Sequence, residues 1–399
     1  MKHGMVWACA VVVGVCAAPR PAHALPKFAR QYGVSCGTCH SIPPRLNPFG
    51  LAFQASYFNW PGGSKAKKSL RQAFPVSGLA IASLEDNHTT GDTTAKFRYL
   101  FLHASEGFRV GTAGNGGFFL KALAAATGDE DEGQLEQAFL ALPLAAKGRL
   151  SVVAGQFTPL MYQWDPINRL TSSTPLAAAK AVSSEVTEVQ SGGGNGGGGP
   201  YGGYGGGGYG GGGGGGGGAD AFAFSFTRPT PGVRLDFFSG RGAASADGTY
   251  VSLGVPFRGQ LAFNDNAHLG GARGLFLHAF KRRGHSSLGV LGYKNGGRHL
   301  EGITGTHQVA PKVYLLVLGA LGHDEAGSTR RFSAEAEYVA NHRLALTGRL
   351  DLLGGAQNDV APTLAVTYYP LKLPVLRLTA EATQQKGNRF FALFARGQF

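Results

Sequence analysis

An alternation of apolar and polar side chains, repeating every second residue, recurs along most of the chain after residue 75 and constrains its fold more than any other feature. The segment 331–338 shows it, with Phe332, Ala334, Ala336 and Tyr338 on one face and Arg331, Ser333, Glu335 and Glu337 on the other. Successive side chains of a β-strand point to opposite faces. The polar face is too charged for a soluble core, and the repetition favours a barrel over a soluble β-sandwich. The sequence therefore predicts a mainly β fold, a transmembrane antiparallel β-barrel that is apolar toward lipid and polar toward its lumen.

The number of strands follows from the alternating segments between residues 76 and 399. Eighteen candidates can be placed, among them 220–228, 249–255 and 259–265, and sixteen is equally acceptable if two of the weaker ones are not strands. Both numbers are even, as in bacterial barrels. The last candidate ends on Phe399, which resembles the assembly signal of outer-membrane barrels. The prediction is thus a barrel of about 16–18 strands that follows a small α-helical N-terminal domain.

Composition and the first residues exclude other classes of protein. No apolar run long enough for a membrane-spanning helix follows the N-terminus. The net charge of +13 comes from scattered residues, so nucleic acid is not an expected partner. Residues 1–24 combine Lys2, a short apolar stretch and the motif Ala22-His23-Ala24, which predicts a cleaved secretory signal peptide. Cleavage would leave Cys36 and Cys39 as the only cysteines.

The segment after the signal contains Cys36, Cys39 and His40 as C-x-x-C-H. In an exported chain this pattern indicates covalent attachment of one haem c, with His40 as the proximal ligand of the iron. Three other uses stay open. A zinc site would need a fourth ligand from elsewhere, a thioredoxin-like pair would need a βαβ context, and a disulfide would leave His40 without a role. Since residues i, i+3 and i+4 share one face of a helix, the three side chains are expected to converge there.

The sixth ligand of the haem iron is not given by this motif, because no His or Met lies between His40 and His88. Met161 is the only methionine outside the signal segment, and it is a candidate distal ligand that would raise the reduction potential. His88, His103 and His278 are the alternatives.

Connections between the predicted strands are expected to be short on the periplasmic side and longer on the outer side. Short turns are predicted at 105–107, 228–232 and 281–284. On the outer side, 158–219 is a long loop, and its tract 192–218 is nearly all glycine and therefore expected to be flexible. The acidic run 128–133 and the cluster His323-Asp324-Glu325 also lie on the outer side, where their side chains would suit a ferrous ion.

The opening stretch resembles the fused monohaem cytochrome-porin family of outer-membrane iron oxidases. Besides the haem motif, the resemblance rests on Pro26, the run Phe28-Ala29-Arg30-Gln31, Pro44, Leu46 and Phe49-Gly50. Together with the barrel pattern it gives three parts: a signal peptide at 1–24, a monohaem cytochrome c domain at 25–74, and an outer-membrane porin-like barrel at 75–399.

The resemblance implies an outer-membrane electron conduit with an activity like that of an Fe(II):cytochrome c oxidoreductase. Its haem domain, in the barrel lumen or on the periplasmic side, would accept electrons from an extracellular donor, with Fe(II) expected first. A periplasmic c-type cytochrome would take them onward, and outer-membrane lipid would surround the barrel. Electron export to an extracellular acceptor uses the same parts. A diffusion porin with a haem-bearing head is the alternative of another class, and a haem-based sensor is a third.

Overall fold

A computed structural model describes residues 27–61, 76–87, 92–126, 135–145, 148–163, 170, 229–241, 246–260, 268–324, 327–354, 358–370, 376–385 and 388–398. These residues form a closed antiparallel barrel of sixteen strands with a small, partly helical N-terminal segment. The strands are β1 (Val76–Asn87), β2 (Asp92–Val110), β3 (Gly114–Ala126), β4 (Leu135–Ala145), β5 (Leu150–Phe157), β6 (Thr230–Phe238), β7 (Gly248–Gln260), β8 (His268–Ala272 and Leu275–Arg283), β9 (Ser286–Asn295), β10 (Arg298–Ala310), β11 (Val313–Asp324), β12 (Gly327–Asn341), β13 (Leu344–Gly354), β14 (Asp359–Tyr368), β15 (Leu376–Gln385) and β16 (Asn388–Gln398).

The sheet closes because the last strand pairs with the first. β16 runs antiparallel to β1, from the pair Phe390 and Asn87 to the pair Gln398 and Leu79. β8 is interrupted near Gly274, which has a φ of +84°, but both of its segments pair with β7. A closed sheet has no edge strand, so the wall can satisfy its own backbone hydrogen bonds.

The predicted fold class is confirmed, with the lower of the two predicted strand numbers. The predicted segments 249–255 and 259–265 are not separate strands. The first of them continues without a turn into residue 260, as part of β7. The predicted strand 220–228 lies outside the described residues.

Two of the three predicted short turns are wrong. Residues 105–107 lie within β2, because Ser105 and Gly107 continue its pairing with Phe119 and Gly117 of β3. Residues 230–232 lie within β6, where Gly232 pairs with Gly155 of β5. The third predicted turn, 281–284, lies instead at 284–285. The glycine and proline residues that suggested the first two turns are accommodated inside the sheet.

The two faces of the wall differ as the alternation predicts. In β14 the outward-facing Leu364 is 70% exposed, whereas Thr363 and Thr367 point inward and are buried. Inward-facing charged side chains such as Arg349 and Asp351 form an ion pair with a 2.8 Å contact. Among the described residues, no helix has the length and hydropathy of a membrane-crossing helix.

The N-terminal segment 27–61, called the plug below, is a compact unit. It contains helix α1 (Lys27–Tyr32), a single 3₁₀ turn (Cys36–Thr38), a small hairpin (His40–Ile42 with Arg45–Leu46) and helix α2 (Pro48–Ala55). An aromatic cluster of Tyr32, Phe53 and Phe58, with Phe28 and Trp60 packed against it, joins the two helices.

The plug lies inside the barrel, at the end that carries the short turns 111–113, 311–312 and 342–343, and contacts distant parts of the wall. On one side, Gln31 Nε2 donates to Glu106 Oε1 of β2 over 2.8 Å, and Asn59 Nδ2 donates to the Gly116 carbonyl of β3 over 2.8 Å. About half the circumference away, Ile42 packs against Tyr314, Val339 and Tyr369. The plug therefore spans the lumen.

A third contact comes from the turn between β6 and β7. The guanidinium of Arg241 donates to the Ala55 carbonyl over 3.2 Å and to the Tyr57 hydroxyl over 3.1 Å. The same side chain donates to the Gly148 carbonyl of the wall over 2.8 Å. Arg241 thus binds the end of α2 to the barrel.

Residues after β5 also enter the lumen. Leu160, Met161 and Tyr162 are buried in the main apolar cluster. The backbone of Leu170 contacts the opposite wall, where its carbonyl accepts from Thr367 Oγ1 over 3.2 Å. The described part of the predicted loop 158–219 therefore narrows the lumen, and the glycine tract 192–218 lies outside the described residues.

Candidate functional site

The C-x-x-C-H motif does not lie on one α-helix, so the predicted local geometry is wrong. α1 ends at Tyr32, before the motif begins, and the next residue, Gly33, has a φ of +61°. Cys36 then opens the 3₁₀ turn, Cys39 follows it, and His40 begins the hairpin. The Cys39 N–H donates to the Cys36 carbonyl over 3.1 Å, which keeps the two thiols near each other.

Asn47 holds the motif against α2. Its side-chain amide donates to the carbonyls of Gly37 and Thr38, each over 3.1 Å, and its Oδ1 accepts from the Gly50 N–H over 2.9 Å. The last of these contacts is the N-cap of α2. One side chain thus connects the turn that carries the cysteines to the helix behind it.

Gly50 permits the closest approach between α2 and the motif. A Cβ at this position would lie 2.1 Å from the Cys39 carbonyl oxygen. Any larger residue would therefore displace Cys39 or the helix.

His40 is held in one tautomer. Its Nδ1 lies 3.2 Å from the Pro44 carbonyl oxygen. Because a carbonyl only accepts hydrogen bonds, Nδ1 carries the proton and Nε2 presents its lone pair. Burial lowers the pKa of His40 to about 4, against the opposing effect of the Pro44 and Arg45 backbone. The ring is therefore neutral at pH 7, the form that ligates a metal.

The two cysteines are free thiols in the structure. Burial raises the pKa of Cys39 to about 11, with a smaller contribution from Cys36. Burial also raises the pKa of Cys36. Both groups therefore remain protonated at neutral pH.

All three motif side chains border one cavity of about 280 Å³. Much of its surface is aromatic and aliphatic, from residues of the plug such as Phe28, Tyr32, Leu46, Phe53, Phe58 and Trp60. The barrel wall and the loop after β5 complete it with His103, Phe119 and Met161. Two thiols and a neutral imidazole at an apolar cavity are a donor set that fits covalent attachment of haem c.

The four candidate distal ligands are placed differently. Met161 borders the cavity, and its sulfur accepts a hydrogen bond from Arg234 Nη2 over 3.2 Å. His103 also borders the cavity, and its Nε2 is buried without a hydrogen-bond partner among the described residues. His278 does not border it, and its Nε2 lies 2.8 Å from Gln163 Oε1. His88 lies outside the described residues.

The predicted outer clusters are not assembled into a metal site in the described part of the chain. His323 is exposed at the far end of β11, with its Nδ1 3.1 Å from Ser328 Oγ. Glu325 and the acidic run 128–133 lie outside the described residues.

Several residues that build the site were not predicted from sequence, above all Asn47, Arg241 and Glu337. Glu337 forms a buried ion pair with Arg45 of the plug. The sequence Asn47-Pro48 could have predicted the start of α2, since Asn before Pro is a common helix start. No local pattern predicts the contacts of Arg241 and Glu337, because their partners are distant in the chain.

Comparisons with known proteins bear on the barrel. No protein-family model matches the chain. No curated protein matches it. Among solved structures, a complex of Salmonella typhi OmpF with daunomycin matches with a TM-score of 0.54 at 12% identity, over 81% of this chain and 97% of that one. The chain has the porin fold.

Two further structures agree. A mutant of the Rh. blastica porin matches this porin-fold chain with a TM-score of 0.51 at 12% identity, over 81% of this chain and 99% of the other. A structure titled "Asymmetric conductivity of engineered proteins" matches with a TM-score of 0.52 at 12% identity and the same coverage of 81% and 99%. At such low identity the likeness concerns the fold alone.

Proposed function

We propose that this porin-fold barrel lies in a bacterial outer membrane. Support comes from its outer surface, where side chains such as Leu288 and Leu364 are 71% and 70% exposed, while charged side chains face inward. Strands cross a bilayer only as a closed barrel, because every backbone polar group must be paired. Membrane fractionation tests this, and recovery of the chain as a soluble periplasmic protein would contradict it.

We further propose that the barrel is an electron conduit with one haem c attached to the plug. The observation that carries this proposal is the shared cavity of Cys36, Cys39 and His40. When bound there, haem c would supply one-electron redox chemistry. Cys36 and Cys39 would hold it through their sulfur atoms, and His40 would present its unprotonated Nε2 to the iron.

The rest of the plug would then position these three residues within the barrel. Asn47 and Gly50 fix the motif against α2, and Arg241 fixes α2 against the wall. The apolar residues around the cavity would exclude water from it. The plug also obstructs the lumen at the short-turn end, so we expect little diffusion of solutes through the barrel.

The proposed partners follow from the position of the plug. In bacterial barrels the short turns are periplasmic, so a periplasmic c-type cytochrome could approach the plug from that side. The electron donor would be extracellular, with Fe(II) expected first. Export to an extracellular acceptor would use the same residues in the opposite direction.

Haem attachment is tested by haem staining of the denatured, purified chain. Staining should persist in the native protein and should be absent after Cys36→Ala together with Cys39→Ala. The donor is tested by stopped-flow mixing of the oxidised protein with Fe(II), which should reduce it. Covalent haem without reduction would reject the iron donor, and loss of haem on denaturation would reject the attachment.

A diffusion channel is the second candidate, and the porin fold is the observation that favours it. The matched structures include a mutant of the Rh. blastica porin, so the fold alone supports this function more directly than it supports a redox role. Planar bilayer recordings separate the two. Steady open channels would favour the diffusion channel, and a conductance near the baseline would favour the plugged conduit.

A further inference from the structure

The side chain of His103 enters the cavity from the barrel wall. In β2 the neighbouring Leu102 is 41% exposed on the outer surface, whereas Phe101 and Ser105 are buried on the inner one. The period-two geometry of the strand therefore directs His103 inward. Its pairing partners are Ser77 of β1 and Lys121 of β3, and Ser77 also borders the cavity.

The Nε2 atom of His103 is buried and has no hydrogen-bond partner among the described residues. Buried ring nitrogens are normally paired, and an exception calls for an explanation such as a bound ion or group. Its ring is flanked by Phe101 and Phe119, with centroids 6.5 and 6.1 Å away. Neither neighbour offers an oxygen or nitrogen atom, so neither is a hydrogen-bond partner for this nitrogen of a residue that borders the cavity.

The donor atoms of the other described candidates, Met161 and His278, already take part in hydrogen bonds. The Met161 sulfur accepts a hydrogen bond from Arg234, and Arg234 is itself held by Asp236 with a contact of 3.1 Å. A sulfur that already accepts a hydrogen bond is less available as a ligand of iron. The His278 Nε2 is paired with Gln163 and lies away from the cavity.

We propose that His103 would supply a second nitrogen ligand to the iron of the proposed haem, in addition to His40. This inference rests on the proposed attachment of haem at Cys36 and Cys39. Its consequence is that one axial ligand comes from the plug and the other from the barrel wall. Ligation by two histidines also gives a lower reduction potential than the His and Met pair that Met161 would provide.

The test uses the full-length, haem-loaded protein in detergent, with electronic absorption and electron paramagnetic resonance as readouts. The native ferric protein should be six-coordinate and low-spin, and its ferrous form should take up carbon monoxide slowly. His103→Ala should convert the iron to high-spin and speed carbon monoxide uptake at least tenfold. Added imidazole should restore the low-spin spectrum of this variant.

Two controls separate ligation from folding. His278→Ala removes another inward-facing, buried histidine of the wall and should leave the spectrum unchanged. Met161→Leu should also leave it unchanged, while His103→Met should stay low-spin but show the charge-transfer band of a methionine-ligated ferric haem. Heat-modifiable migration in gels checks that each barrel is folded.

The outcomes are distinguishable from those of the proposed function. A native protein that is high-spin, or a low-spin spectrum that survives His103→Ala, would overturn the inference while leaving covalent haem in place. Loss of the low-spin spectrum in Met161→Leu would assign the ligand to Met161 instead. Absence of haem from the denatured native chain would remove the proposed function itself.

Discussion

The plug and the barrel wall are specified by the sequence in different ways. The fold of the wall depends on a repeated pattern of outward apolar and inward polar residues. Leu364 and Thr363 each occupy one of many equivalent positions in this pattern. The plug depends on single contacts, such as Gly50 against Cys39 and Asn47 across the motif. A change at a wall residue that does not contact the plug should therefore be absorbed by its neighbours, whereas a change in the plug or at its contacts with the wall should not. The following substitutions test this difference.

The largest effect is expected where the plug meets the wall through charge. Glu337→Leu removes the carboxylate of the buried ion pair with Arg45, which costs about 3–5 kcal/mol of plug docking. Single-channel recording should then show an open pore, and added protease should cleave the plug. Glu335→Leu is the matched control, since Glu335 is buried two residues away and pairs with Arg349 of the wall. An equal rise in conductance in both variants would mean that the Arg45 contact is not specific.

Gly50→Ala is expected to have the next largest effect. Its added methyl would overlap the Cys39 carbonyl and cost about 1–3 kcal/mol through overpacking. Haem content per protein should fall severalfold. Gly37→Ala lies in the same motif, where the nearest atom to a new Cβ is Ser35 Oγ at 3.8 Å, and should keep its haem. Equal haem content in the two alanine variants would argue against the close approach.

Asn47 allows its two functions to be separated. Asn47→Ala removes the helix cap and both bonds to the motif, with an expected loss of about 0.5–2 kcal/mol. Asn47→Asp keeps the oxygen that accepts from Gly50 but removes the amide that donates to Gly37 and Thr38. Resistance of the plug to protease should rank native, then Asp, then Ala. A reversed order of Asp and Ala would show that the cap is unimportant.

The smallest effects are expected at wall residues that do not contact the plug. Leu364→Ala changes only the outer surface and should alter the free energy of unfolding by about 0.5 kcal/mol or less. Thr363→Val removes a hydroxyl that accepts from Arg349 over 3.2 Å and should cost about 1 kcal/mol. Urea unfolding in detergent measures both. A loss for Leu364→Ala as large as that for Gly50→Ala would break the contrast between wall and plug.

The difference between the wall and the plug also explains how much of the fold the sequence predicts. The period of two residues is a local signal, so it predicted both the barrel and the sides to which Phe332 and Glu335 point. The predicted ends of the strands were less accurate. Residues 105–107 look like a turn in isolation, yet the pairing with β3 carries the strand on to Val110. Register in a sheet is decided by the partner strand, which a single segment does not contain.

The candidate site was predictable in its donor atoms but not in its arrangement. The spacing of Cys36, Cys39 and His40 suggested one helical face, but Gly33 ends α1 first and the motif follows a 3₁₀ turn. The choice among Met161, His103 and His278 was open for a similar reason. It depends on whether Arg234 or Gln163 occupies the donor atom, and both contacts join residues far apart in the chain.

The partners of the plug impose an order on biogenesis. Ile42 is made before any strand of the barrel, yet it packs against Tyr314, Val339 and Tyr369, which belong to the last third of the chain. The earliest residues of the chain can therefore reach these packing partners only after β14 has joined the sheet. Haem attachment as proposed above would have to occur in that interval, before the closed barrel surrounds the cysteine motif.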